Sequence, residues 1–322
     1  MMSNFAITGG TGYIGSNIAI SLLKSNNYVK ILDKESIENQ SILEPYLEHP
    51  NLTFTQIDIK STKKLTSELI DIDTVFHFSA SADVALGRQN PTLDLNDGTI
   101  ATSSVLESMR KNNIKKIIFP SSSTVYGFPK NIPTSENDGP CFPVSLYGAS
   151  KLASEGLISA YCYLYGFQSW IFRFGNIIGK NVKRGVIIEL FKKLKKNSSE
   201  LDILGDGNQI KDYIYINDCV DAILFAFKNS NDKINYFNLS TGEQLSVKEL
   251  VEILLTSLDL KNTKLNYAGG IPGWNGGGWP GDVNLIHYDI SKILSLGWKP
   301  ELTSKEAVKL AIKDLINNNK VD

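Results

Sequence analysis

GGTGYIG, residues 9–15, is the stretch that most narrows what this chain can fold into. It follows a strand-like apolar run, FAIT (5–8), and opens a helix-like stretch that reaches about Lys24. Gly9, Gly12 and Gly15 stand three apart. Glycines there permit a tight turn, let the backbone approach a pyrophosphate and let the helix pack on the strand. The helix start adds N–H groups and a positive dipole end. A second run, YVKILD (28–33), ends in Asp33, 18 residues after Gly15. A carboxylate there accepts the adenosine ribose hydroxyls and repels a 2′-phosphate. The pattern predicts a dinucleotide site that takes NAD rather than NADP, with Asp58, closing the third strand, as an adenine contact.

The rest of the first half repeats the alternation. LTFTQID (52–58), TVFHFS (74–79) and KKIIFPS (115–121) are apolar runs of strand length, and residues 92–112 read as a long helix. Strands separated by helices imply right-handed βαβ units and a parallel sheet. A helix from about Ser145 to Tyr165 leads into another strand, QSWIFRF (168–174). Beyond Asn176 the pattern loosens. GVIIELFKKLKKN (185–197) is an amphipathic helix, and DYIYINDCVDAILFAFKN (212–229) reads as a strand and then a helix. SVKELVEILLTSL (246–258) opens on Ser246 with Glu249 three residues later, the signature of a capping box. GGIPGWNGGGWPGD (269–282) is too rich in glycine for helix or strand, and its two tryptophans mark it as a binding loop.

Charge and composition exclude several classes. The 322 residues carry 33 Lys+Arg against 34 Asp+Glu, a net charge of −1 that gives no footing for nucleic acid or a membrane surface. Arginine is confined to Arg88, Arg110, Arg173 and Arg184, so an anion site must use lysines, backbone N–H groups or one of these four. Cys141, Cys162 and Cys219 form no C-x-x-C pair and the three histidines are scattered, so no metal site is expected. The N-terminal residues lack a basic region followed by an apolar run, and no apolar stretch approaches the roughly 20 residues that span a bilayer. A cytoplasmic protein is expected.

SLYGASK (145–151) places Tyr147 and Lys151 one helical turn apart on one face. Spacing alone does not make them an acid–base pair. Other motifs do: VFHFSA (75–80), SSSTVYG (121–127), RFGNIIG (173–179), GDGNQIKDYIYIND (205–218) and GWPGD (278–282). With GGTGYIG and YGASK, in this order, they resemble the extended short-chain dehydrogenase/reductases and, within them, the UDP-glucose (UDP-galactose) 4-epimerase family. The resemblance covers nearly the whole chain. It implies a Rossmann-type doubly wound parallel sheet with a smaller mixed α/β substrate-capping domain. Residues 1–180 would form the first, the chain returning to it at about 213–239, and residues 181–322 the second.

The resemblance also implies roles. Tyr147, as phenolate, removes a proton from a sugar hydroxyl while hydride leaves the same carbon for NAD. Lys151 and the positive nicotinamide ring would lower the tyrosine from its ordinary pKa of ~10. Aligning on VYG puts the family's catalytic hydroxyl at Ser122. Tyr13 and Ile14 in the glycine loop, Ile59 beside Asp58, and Phe78, Ser79 and Ala80 complete the cofactor contacts, together with Tyr147 and Lys151. Similar dehydratases carry Asp-Glu, and similar decarboxylases a Glu, just before VYG. Here Ser123 and Thr124 stand there, which disfavours both reactions.

On the nucleotide-sugar side, Asn176, Gly185, Val186, Leu201, Leu204, Lys211 and Tyr213 fall where related epimerases contact uridine and diphosphate, with Thr124 and Asp282 as further substrate residues. The chain departs from the pattern at Lys211, usually arginine, and at Gly276 and Gly277, where a second arginine is usual. Lysine neutralises a phosphate but lacks the bidentate fork. Arg184 is the candidate compensating cation. The family's asparagine falls at Gly98, with Asn96 as its candidate replacement. The expected function is C4 epimerisation of a UDP-hexose by a homodimer, glucose/galactose first, N-acetylhexosamine or glucuronate as alternatives. A nucleotide-sugar reductase and an NAD-sensing regulatory protein are the rivals.

Overall fold

A computed structural model describes residues 2–39, 42–81, 84–271 and 277–318. Six strands come first: β1 (Asn4–Thr8), β2 (Tyr28–Asp33), β3 (Leu52–Gln56), β4 (Thr74–His77), β5 (Lys116–Ser122) and β6 (Gln168–Phe174). Then follow β7 (Asn176–Ile178), β8 (Glu200–Ile203), β9 (Ile210–Tyr215), β10 (Ile234–Leu239), β11 (Gln244–Ser246) and β12 (Lys264–Tyr267). A seven-stranded sheet runs β10-β6-β5-β4-β1-β2-β3. β1 pairs in parallel with both β2 and β4, with Thr8 level with Leu32 on one side and His77 on the other. The chain therefore winds outward in two directions from β1 and β4. In such sheets the crevice at the carboxyl ends of the two diverging strands is where ligands bind.

The central strands are apolar because helices cover them. Ala6, Val75, Ile117 and Phe119 pack with Val105, Leu106 and Met109 of the helix Ala101–Lys111 and with Ile158 and Cys162 of the helix Leu146–Tyr165. The segment read as one helix over 92–112 starts differently: a π-helical turn, Leu95–Ile100, precedes Ala101. Among the described residues no helix is long and apolar enough to cross a membrane.

The chain divides into two compact units. The first is Met1–Gly127 with Cys141–Arg173 and Ile223–Phe237; the second is Phe128–Pro140 with Phe174–Ala222 and Asn238–Asp322. The first unit thus lacks residues 128–140 and 174–180 of the span 1–180, and it regains the chain only at Ile223. Segment 128–140 joins the second unit through hydrogen bonds to distant residues. Thr134 N donates to the His287 carbonyl at 2.8 Å, Asp289 N donates back to Thr134 at 2.9 Å, and Glu136 accepts from Asn238 N at 2.8 Å. In the second unit β11, β9 and β7 form one small sheet and β12 pairs with β8. Ser246 and Glu249 form the capping box of the helix Val247–Ser257 as read.

Candidate active site

The glycine loop is tightly built. Gly9 has φ +69°, and a β-carbon there would lie 2.5 Å from Ser79 N and 2.6 Å from the Phe78 carbonyl carbon. A β-carbon at Gly15 would lie 2.4 Å from the Gly9 oxygen. The loop therefore packs directly on the backbone that follows β4. Gly12 caps the helix Tyr13–Lys24 without a side-chain oxygen, and that first turn holds no acid. Its N–H groups suit a pyrophosphate. Tyr13 and Ile14 on the first turn are half-buried, as are Phe78, Ser79 and Ala80 after β4.

Asp33 is buried at the end of β2. Its Oδ2 accepts from Thr11 N at 3.0 Å and Thr11 Oγ1 at 2.6 Å, and its Oδ1 accepts from Glu35 N at 3.1 Å. The acid placed at the ribose thus also braces the glycine loop, through a threonine that sequence reasoning passed over. The signal was available, since Thr11 is the one residue between Gly10 and Gly12 and carries a hydroxyl. Asp58 is exposed in the turn after β3, where it accepts from Lys60 N at 3.0 Å; Ile59 beside it is buried in the core. Lys60 reaches on to Asp97 at 2.7 Å.

Ser122, Tyr147 and Lys151 come together in the first unit. Ser145 caps the helix Leu146–Tyr165 by accepting from Gly148 N at 3.1 Å, which starts the helix one residue before Tyr147. Ser122 ends β5; its Oγ accepts from Thr124 N at 3.2 Å and Thr124 Oγ1 at 3.0 Å, and it is hydrogen-bonded to Tyr147. Thr124 therefore orients Ser122. The buried Lys151 donates to the Pro120 carbonyl at 2.6 Å, and its Nζ stands 4.8 Å from the Phe119 ring centre and 5.6 Å from that of Tyr147. Four residues on, Glu155 pairs with Arg173 of β6 at 2.7 Å and accepts from Ser121, which ties this helix to two strands.

Burial pushes the Tyr147 phenol up to about 12; the hydrogen bond with Ser122 lowers it, and the Asp94 charge raises it. This direction is opposite to the activation expected of Lys151. Burial draws Lys151 down to about 8, against the charges of Glu155 and Asp94. His77 is drawn down to about 3 by burial and by the Lys151 charge, so it is neutral. Its Nδ1 accepts from Thr8 Oγ1 at 2.7 Å. Thr102 donates to the Gly98 carbonyl, so its oxygen accepts from His77 Nε2 at 3.0 Å. His77 thereby ties β1 to β4 at their carboxyl ends, beneath the cofactor loop. Sequence reasoning missed both His77 and Asp94.

Of the expected nucleotide-sugar residues Thr124 lies in the first unit and the others, Asn176 through Tyr213 and Asp282, lie in the second. Asn176 opens β7 and donates to the Asp212 carbonyl at 3.2 Å. Gly185 precedes the helix Val186–Lys196, with Val186 half-buried as its first residue, and Arg184 is exposed ahead of them. Leu201 is wholly buried in β8, so its side chain belongs to the core, while Leu204 just beyond is exposed. Tyr213 is buried in β9, its phenol raised by burial and by the Asp282 charge, and its N–H donates to Ser304 at 3.0 Å. Lys211 and Asp282 meet at 2.5 Å, and Lys211 also donates to the Val283 carbonyl. Asp282 in turn accepts from Gly278 N at 3.1 Å. The lysine assigned to a diphosphate is thus engaged in holding the turn at 278–283. Asn96 is exposed on the π-turn, and Gly276 lies outside the described residues.

A doubly wound sheet, a glycine cradle at its switch point and a Ser–Tyr–Lys set define an extended short-chain dehydrogenase/reductase. Residues 5–240 match the NAD dependent epimerase/dehydratase family, and the chain belongs to that family. A Methanocaldococcus jannaschii relative, provisionally named a UDP-glucose 4-epimerase, is 35% identical over 98% of this chain and 99% of its own. The crystal structure of a UDP-galactose 4-epimerase has a TM-score of 0.84 at 30% identity, covering 98% of this chain and 99% of that one. A UDP-N-acetylglucosamine 4-epimerase from Methanobrevibacter ruminantium, in complex with UDP-N-acetylmuramic acid, has a TM-score of 0.84 at 28% identity, covering 99% and 100%. NAD is the cofactor, and the Gly9–Gly15 cradle with Asp33 fits it.

Proposed function

We propose that the protein epimerises a UDP-hexose reversibly at C4, with UDP-glucose and UDP-galactose as the first pair. The observation that carries this is the hydrogen-bonded Ser122–Tyr147 pair beside Lys151, followed by Ser123 and Thr124 where dehydration or decarboxylation would need an acid. NAD held by the Gly9–Gly15 cradle and Asp33 would supply a hydride acceptor and donor for C4. The protein's own task is the proton. Ser122 orients the C4 hydroxyl toward the Tyr147 oxygen, which takes the proton as the carbon becomes a ketone. Tyr147 gives the proton back when the turned 4-keto sugar regains hydride on its other face. Lys151, anchored to the Pro120 carbonyl, fixes the nicotinamide ribose and supplies positive charge behind the tyrosine.

A tyrosine raised to about 12 by burial is a strong base once ionised and a poor one before. Positive charge brought into the site with the oxidised cofactor lowers it, which couples proton removal to a loaded site. The relatives' names span galactose and N-acetylglucosamine, so the group at C2 is the open variable, with glucuronate as the variant at C6. The homodimer expected of such chains is part of the same proposal.

Purified protein incubated with UDP-glucose, UDP-galactose, both UDP-N-acetylhexosamines and UDP-glucuronate tests it. One pair interconverting to equilibrium, with no net change in free cofactor, is the expected result. Stoichiometric consumption of reduced cofactor would make the protein a nucleotide-sugar reductase instead.

A further inference from the structure

One buried carboxylate bears on both members of the Tyr147–Lys151 pair. Asp94 is 3% exposed. Its Oδ2 lies against Gly87, where a β-carbon would come within 2.2 Å of that oxygen and 3.6 Å of the Leu146 β-carbon. The carboxylate therefore sits at the first turn of the helix that carries Tyr147 and Lys151, an end that favours negative charge. The Asp94 carbonyl also accepts from Ser150 Oγ at 2.7 Å, on the residue next to Lys151. Ser150 occupies the room that a side chain at Gly98 would need, since a β-carbon there would lie 2.1 Å from its Oγ. Gly98 belongs to the π-turn Leu95–Ile100, a geometry that concentrates at functional sites. Loss of the family's asparagine, the irregular turn and the buried acid thus form one local arrangement.

We propose, resting on the reading of Tyr147 and Lys151 as the acid–base pair, that Asp94 is a positioning residue of this site: its carbonyl, through Ser150, and its buried carboxylate, at the first turn, fix the helix that bears them. The charge raises Tyr147 and Lys151 alike. Other groups face the pair. Glu155, paired with Arg173 of β6, raises Lys151; His77 of β4 is neutral and feels Lys151; Ser122 at the end of β5 lowers Tyr147. Arg88, on the short helix that holds Gly87, is exposed. Asp94 thus helps keep Lys151 an ammonium near neutral pH despite its burial, and makes Tyr147 the acid that returns the proton.

Asp94→Asn keeps the shape and removes the charge. The ionisation of Tyr147 is read without any sugar, as the phenolate absorbance difference between each protein and its Tyr147→Phe counterpart. The midpoint should fall by about 0.5–1 pH unit in Asp94→Asn, the lower end of shifts set by a nearby charge, and stay in place in Asp94→Glu. In the kcat/KM profile both limbs should move to lower pH together. An unmoved Tyr147 midpoint, or a lower rate with both limbs in place, would overturn the proposal. Should Asp94→Asn not fold, Asp94→Ser is titrated in the same way and judged by the same outcomes. The titration needs no turnover. A shifted midpoint in a protein that interconverts no UDP-sugar would refute the epimerase reading while leaving the role of Asp94 intact.

Discussion

The two units hold the polar groups expected at a site in different ways. In the first, the reactive side chains are aimed by backbone: strand ends carry Ser122, His77 and Asp33, a capped helix carries Tyr147 and Lys151, and glycines bring the loop onto the backbone that follows β4. Their charges act on one another while the groups stay directed at a site. In the second, charge is closed on itself. Lys211 faces Asp282, and the wholly buried Asp212 accepts from Thr241 at 2.8 Å and Ser304 at 3.2 Å. Chemistry demands a fixed constellation, whereas a substrate cap can vary its partners around a stable frame.

Breaking the first unit should cost most. Tyr147→Phe keeps the ring and removes the acid–base oxygen, so turnover should fall at least on the order of 10²-fold while the melting temperature and NAD binding hold. Steady-state rates beside calorimetric NAD titration check this. Gly9→Ala forces a β-carbon into the backbone after β4 at a positive φ, strain on the order of 1–3 kcal/mol. NAD affinity should drop by about 10-fold or more, read by the same titration.

The second unit should respond in stability before chemistry. Lys211→Ala leaves Asp282 half-enclosed and unpaired, which should cost about 1–3 kcal/mol in urea unfolding. If the pair acts as a latch, Lys211→Ala and Asp282→Ala should weaken UDP binding non-additively. Additive losses would return Lys211 to direct diphosphate contact. At neutral pH His77 gives the smallest effect, because the ring is mostly unprotonated folded or unfolded. Burial draws its pKa from the ordinary 6.5 to about 3 in the folded chain, so the unfolded chain binds the extra proton between these values. Stability should therefore decline as pH falls from about 6.5 toward 3, with a slope on the order of 1 kcal/mol per unit, and His77→Gln should flatten that slope.

Legibility in the sequence followed the same divide. The strands YVKILD and QSWIFRF carry their own bounds because buried strands are continuous apolar runs. GGTGYIG and YGASK declare local geometry within seven residues. What escaped is long-range or hydrogen-bonded. Asp33 to Thr11 crosses from the end of β2 back to the loop after β1; Lys211 to Asp282 spans 71 positions; segment 128–140 joins residues 287–289 through backbone groups that leave no side-chain pattern. The π-turn at Leu95–Ile100 kept an apparently regular helical spacing, and only the missing asparagine at Gly98 hinted at a rearrangement. Asp94 carries no local sequence signal of its role. Its burial depends on Gly87 leaving room beside it, a contact that no local pattern encodes.

Under the proposed epimerisation one hydride leaves and re-enters C4 inside a closed site while Tyr147, aided by Ser122, moves the proton. UDP-galactose carrying deuterium at C4 tests it most directly. Mass and NMR analysis of the product should find UDP-glucose with the deuterium still at C4, and none in solvent or in free cofactor. Label lost from C4, or recovered in free cofactor, would contradict the account.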